Sequence, residues 1–124
     1  MDHRTVPKNK RLRLVGFFPE SARLLKEGPS SPEAAYHHLE FEVGKGGEEH
    51  VELFSVTVAT VEGIQANAPA EAWVLADHGT IIVREFDARL IRMHIEEILA
   101  RCEAATLHDA MPRLQRYFRS EHDD

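Results

Sequence analysis

The chain of 124 residues is 43% apolar and 29% charged, a balance that fits one folded domain, 1–124, and excludes disordered, collagenous and low-complexity classes. Its 15 Lys and Arg stand against 21 Asp and Glu, and the net charge of −6 gives no support to unspecific phosphate binding, so no nucleic-acid partner is expected. A single Cys excludes an internal disulfide framework, no run approaches the roughly 20 apolar residues that span a bilayer, and Met1–Lys8 lacks the apolar stretch of a secretory signal; no membrane partner and a cytoplasmic location are expected.

Residues 1–10 read as a flexible basic leader. Arg11–Phe18 alternates and predicts a half-buried strand, with Leu12, Leu14 and Phe18 on one face and Pro19 closing it. Glu20–Glu33, with Gly28-Pro29-Ser30-Ser31-Pro32 inside it, reads as a loop that holds at most a short helical turn around Ala22–Lys26. Tyr36–Val43 alternates strictly, directing Leu39, Phe41 and Val43 inward and His38, Glu40 and Glu42 outward. The turn Gly44–Glu49 then returns the chain along His50–Thr60, which predicts a hairpin. Pairing Val43 with Val51 and Phe41 with Leu53 keeps those apolar rows together, but it requires a bulge near Leu53–Phe54 to bring Phe54, Val56 and Val58 into phase. In that register Glu42 faces Glu52, and the outer face collects Glu40, Glu42 and Glu52.

Beyond the hairpin, either Thr60 caps a short helix over Val61–Ala66 or Asn67 caps one over Pro69–Leu75. Asp77-His78-Gly79 is a turn signal, and the apolar run in Thr80–Phe86 predicts a central strand. Asp87 caps an amphipathic helix over Ala88–Glu103, whose apolar stripe is Leu90, Ile91, His94, Ile95, Ile98, Leu99 and Cys102. In the last helix, Thr106-Leu107-His108-Asp109 fits a capping box but places Pro112 six residues in; capping by Asp109 starts the regular helix at Ala110 and leaves Pro112 in the first turn. Its stripe continues through Leu114, Tyr117 and Phe118, and residues 120–124 form a frayed acidic tail. The expected fold class is α+β: a mainly antiparallel sheet of about four strands packed by two C-terminal helices.

The charge is unevenly spread. Residues 1–28 carry seven cations against three acids, a local +4, and the rest of the chain carries −10. Eight histidines raise the question of a metal, but the neighbours His37 and His38 point to opposite faces of a strand, and His94 lies about 12 Å from Cys102 along the helix. No metal and no cofactor are expected; His94 reads as a core histidine and Cys102 as a small buried residue. Nucleophile-elbow, phosphate-loop, dinucleotide and HExxH patterns are absent, and carboxylates on an open sheet face stay solvated, so no catalytic residue is assigned.

The order of these elements, and several residues in them, resemble the immunity protein 8 family of bacterial polymorphic toxin and contact-dependent growth inhibition systems. The resemblance runs from Leu39 to the C-terminus. It is carried by Phe41-Glu42-Val43-Gly44, the turn Lys45-Gly46-Gly47-Glu48-Glu49, the strand Phe54-Ser55-Val56-Thr57-Val58, the run Ile81–Asp87, the helix ending near Cys102 and the segment Leu114-Gln115-Arg116-Tyr117. It implies a non-enzymatic protein that binds and neutralises a cognate toxin C-terminal domain, of nuclease type, by blocking its active site or an exosite; a monomer or weak homodimer is expected. The expected toxin contacts are His38, Glu40, Glu42 and Glu52 on the sheet with Glu48 and Glu49 in the turn. A small adaptor subunit that self-associates through a sheet edge is the other reading.

Overall fold

A computed structural model describes residues 7–67 and 79–120. It is α+β: an antiparallel ladder of β1 (Leu12–Phe17), β2 (Tyr36–Lys45) and β3 (Val51–Ala59), with β4 (Thr80–Ile82) parallel to β3. A two-residue strand β5 (Arg119–Ser120) also pairs with β3, antiparallel, so β4 beside Thr57–Ala59 and β5 beside Phe54–Ser55 share one edge. The helices are α1 (Pro19–Glu27), α2 (Val61–Asn67), α3 (Ala88–Arg101) and α4 (Leu107–Leu114).

The hairpin forms where alternation predicts it, with a different register. Val43 pairs with Glu52, Phe41 with Phe54 and Leu39 with Val56, one residue away from the expected pairing and without a bulge in β3. Three apolar residues, Phe54, Val56 and Val58, outweigh two, and the slip carries Val51 and Leu53 to the opposite face. The sheet's irregularity sits in β1 instead, between Leu14 and Gly16, and it turns Phe17 rather than Phe18 toward the core, 5.8 Å from Phe41 between ring centroids.

One face of the sheet is buried. Leu39, Phe41, Val43, Phe54, Val56 and Val58 pack against Ile91, Ile95, Ile98 and Leu99 of α3 and Leu107, Ala110 and Leu114 of α4. At its centre Phe118 stands edge-on to Phe41 at 5.1 Å and 6.0 Å from Phe54. Phe118 is therefore core, but it belongs to the turn after α4 and not to a continuing helical stripe.

Local chemistry sets the helix starts. The side chain of Asp87 accepts from the N–H groups of Arg89 and Leu90, as its position predicts. Thr60 Oγ1 accepts from the N–H of Gly63 and from the N–H of Ala35, fixing α2 by the first of the two expected caps; the alternative helix over 69–75 lies outside the described residues. Pro19 does not merely end β1 but opens α1, which closes at Gly28 with φ 80, and this helix replaces the expected loop. Helix α4 starts at Leu107, capped by Thr106, and Pro112 is tolerated inside it. The donor lost at Pro112 would have served the carbonyl of exposed His108, and the helix ends two residues later.

Gly63 packs α2 onto the loop before β2, where an added Cβ would stand 1.8 Å from the carbonyl oxygen of Ala35. Gly63→Ala is expected to lower stability by about 2 kcal/mol or more, read from the midpoint of urea unfolding. A midpoint equal to the parent's would show that α2 can shift without cost.

Strand β4 departs most from expectation. It covers three residues and lies at an edge, with Ile82 62% exposed, rather than running centrally through Phe86. After Val83 donates to the carbonyl of Ala59, the chain bends so that Phe86 can enter the core and Asp87 can cap α3. A sheet this short does not cover the flank of α3 that holds Leu90 and His94. Leu90 is 56% exposed, and His94 is exposed with Nδ1 3.8 Å from Glu97 Oε2, so neither is a core residue.

Residues 1–6 of the basic leader and 121–124 of the acidic tail lie outside the described residues. Lys8–Lys10 forms a 3₁₀ turn, and Ser120, placed in the tail by sequence, is buried in β5.

Candidate functional site

The face of the sheet turned away from α3 and α4 is polar. The register places Tyr36, His38, Glu40 and Glu42 of β2 there beside Leu53, Ser55 and Thr57 of β3; exposed Arg13 of β1 lies on the same side opposite Gly44, and Arg119 of β5 opposite Ser55. His38 and Glu40 are exposed and Glu42 is half-buried. Glu40 and Glu42 are two residues apart on one strand face, with their Cα atoms about 7 Å apart along the strand. The β1 irregularity serves this face: Gly16 stands opposite Glu42, and a Cβ added there would meet nothing within 4 Å, so the flank of Glu42 stays open. The main chain of Glu40 is held firmly, its N–H donating to Ser21 Oγ of α1 at 2.8 Å and its carbonyl accepting from the Phe18 N–H at 3.0 Å.

His38 borders the acids and is oriented by Thr57. Its Nδ1 lies 2.7 Å from Thr57 Oγ1, and the same hydroxyl oxygen accepts from Arg119 Nη1 at 3.3 Å. Tyr36 stands edge-on to the His38 ring at 5.9 Å. Sequence reasoning missed Tyr36, Leu53 and Arg119 as members of this face. The run Phe54, Val56, Val58 held the signal for Leu53, since it fixes the register; Arg119 had none, because it arrives from 64 positions beyond Ser55 in sequence.

Two expected contacts fall elsewhere. Glu52 is on the core side of the sheet, opposite Val43 and 8% exposed, with its Oε2 3.1 Å from His50 Nε2. It does not face Glu42, because the one-residue change of register turns it over. Glu48 reaches the start of α4, where its Oε2 accepts from the N–H of Leu107 at 3.0 Å, a carboxylate placed at a helix N-terminus. Glu49, its neighbour in the turn, is exposed.

A second acidic group is structural. Glu103 accepts from the N–H of Leu12 at 2.6 Å through Oε2 and from Lys45 Nζ at 3.1 Å through Oε1, and the carbonyl of Glu103 accepts from Arg113. Lys45 Nζ also donates to the carbonyl of Lys10 at 2.6 Å. The Lys45 and Glu103 side chains are 6% and 10% exposed, so this pair joins β1, β2 and the end of α3 out of water.

Cys102 is buried at the end of α3, and burial pushes its thiol above the ordinary value of 9.0, against the opposing pull of Arg113, Arg116 and Arg101. The folded protein therefore keeps the thiol protonated and is expected to react with Ellman's reagent at pH 8 only as fast as it unfolds. Reaction at the rate of a small free thiol would contradict this. Because the folded state holds the proton more tightly, this group's contribution to stability is present below the unfolded pKa and is lost as pH rises through the folded one.

Among the described residues, no group of three or more His, Cys, Asp or Glu could hold a metal ion, and no helix is long and apolar enough to cross a membrane. What the geometry defines is an α+β domain with one sheet face closed by helices and an opposite face that presents Glu40 and Glu42 beside His38, Arg13 and Arg119. The family model described as Immunity protein 8 matches residues 18–124, from the residue that precedes α1 onward, and the chain belongs to this family of immunity proteins. The match begins 21 residues before Leu39, where the sequence motifs first carry the resemblance. Searches of the curated proteins and of the solved structures find no match.

Proposed function

We propose that this single-domain protein neutralises a cognate toxin C-terminal domain of basic, nuclease type in the cytoplasm of the cell that makes it, by docking its open sheet face on the toxin's phosphate-binding surface. The observation that carries the reading is the pair Glu40 and Glu42, the first anchored by its main chain to Ser21 and Phe18 and the second by its ladder pairing, on the face turned away from the core, within a chain of the Immunity protein 8 family. A toxin that binds phosphates presents clustered cations, and the Glu40 and Glu42 carboxylates attract them, within a chain whose net charge is −6, while Arg13 and Arg119 at the borders restrict the orientation of docking.

The contact set is His38, Glu40 and Glu42, with Tyr36 and Leu53 giving apolar surface beside them and exposed Glu49 as an outlying contact. Glu48 and Glu52 are outside it, since their carboxylates act within the fold. The protein acts by occupancy and performs no chemistry on the toxin. Co-expression with the toxin gene encoded immediately upstream should restore growth, and the two proteins should co-purify. Failure of both overturns the proposal; co-purification with an intact toxin active site relocates the block to an exosite.

A further inference from the structure

The exposed side of α3 carries an ordered triplet that the toxin reading does not use. Arg89, Met93 and Glu97 are spaced four apart and so form one ridge of the helix. Arg89 and Glu97 are exposed, and Met93 is 45% exposed. Beside the ridge runs a groove of about 320 Å³ between α3 and β4, whose apolar lining includes Ile81, Ile82, Leu90 and Met93, with Ile82 and Leu90 more than half exposed, and whose polar end is His94 and Glu97. We propose that this surface is the contact between two copies of the chain, packed with their α3 helices antiparallel about a two-fold axis through Met93.

Charge order selects the occupant. Along the ridge the sequence is cation, apolar, anion, and a two-fold at Met93 brings residue 93 − n of one copy against 93 + n of the other. Arg89 then meets Glu97 of the second copy, and Glu97 meets its Arg89, so both charged positions are matched by the same operation. A basic toxin would find one attractive and one repulsive position here. The apolar residues Met93, Leu90 and Ile82 supply the centre, and the ion pairs form the rim that fixes register. With only a few exposed apolar residues at its centre, this contact is reversible and depends on concentration. The surface is separate from Glu40 and Glu42, which lie on the other face of the sheet, so the dimer does not depend on the toxin proposal.

Sedimentation velocity on the full chain without toxin, from roughly 1 to 200 μM, tests this. The mass should rise with concentration from that of one chain toward that of two. Arg89→Glu and Glu97→Arg should each weaken dimerisation about tenfold, because each replaces two attractive rim pairs with two repulsive ones, and the Arg89→Glu/Glu97→Arg double variant should recover the parent behaviour. That recovery also separates a lost contact from a lost fold. A chain that stays monomeric throughout overturns the proposal. So does a dimer indifferent to both single reversals.

Discussion

The variant Glu40→Lys/Glu42→Lys is expected to associate with its toxin about 10–100-fold more slowly than the parent, to lose most of the salt dependence of that rate, and to fail to protect growth. Both residues lie on the sheet face turned away from α3 and α4; the main chain of Glu40 is fixed by bonds to Ser21 and Phe18 and Glu42 by its pairing with Gly16 and Leu53, and a change of side chain leaves these in place. The fold should therefore survive, with a thermal midpoint within a few degrees of the parent. Comparison with reversals at Glu48 and Glu52 sharpens the test. Glu48→Lys places a cation at the N-terminus of α4, and Glu52→Lys changes a residue only 8% exposed on the core side, so both should lower stability first and affect association only through it. Unchanged association kinetics in a folded Glu40→Lys/Glu42→Lys variant would remove this face from the interface.

Glu103→Ala should be among the most destabilising changes of an ionisable residue in the protein, at about 3–5 kcal/mol. It leaves Lys45 Nζ buried with only the carbonyl of Lys10 as partner and removes the acceptor of the Leu12 N–H, loosening β1 at its first residue. For a domain of this size the loss corresponds to about 12–20 °C in Tm. The pair itself is not the source of that figure, since desolvation offsets most of its attraction; the cost comes from stranding one charge. Glu103→Leu/Lys45→Met should accordingly recover much of the stability that Glu103→Ala loses. If the double variant were as unstable as the single one, the hydrogen bond to Leu12, and not the ion pair, would be the dominant contribution.

How much of this was legible in the sequence follows from how far each interaction reaches along the chain. The cap at Asp87, the alternation of β2 and the existence of α3 are settled by residues within a turn or two, and they read correctly; Thr60 is one of two caps the sequence allows, and Leu90 and His94 of the expected α3 stripe are exposed. The β2–β3 register depends on which apolar row wins: Val51 with Leu53, or Phe54 with Val56 and Val58. A one-residue error there was enough to put Glu52 on the wrong face. Pro19 has two local meanings, strand end and helix start, and only the cover that α1 gives to the edge of β2 chooses between them. The working partners of Glu48 and Glu103 lie 59 and 58 residues away, at Leu107 and Lys45, beyond any local pattern. Of the site, Glu40, Glu42 and His38 were readable as one face, while the residues that frame and brace it, Gly16, Thr57 and Arg119, come from pairings that only the folded sheet reveals.

The shared edge of β3 also imposes an order of events on synthesis. Among the described residues, the strand that pairs with Phe54 and Ser55 on that side is Arg119–Ser120, and the aromatic cluster of Phe17, Phe41 and Phe54 lacks Phe118 until it arrives. At about 5–20 residues per second, a ribosome needs roughly 3–12 s to travel from Ala59 to Ser120. Throughout that interval the emerging hairpin has an incomplete core and a strand edge open to other chains. Premature termination anywhere before Phe118 should thus yield aggregation-prone fragments in place of a weaker inhibitor, and a cell gains protection one finished chain at a time.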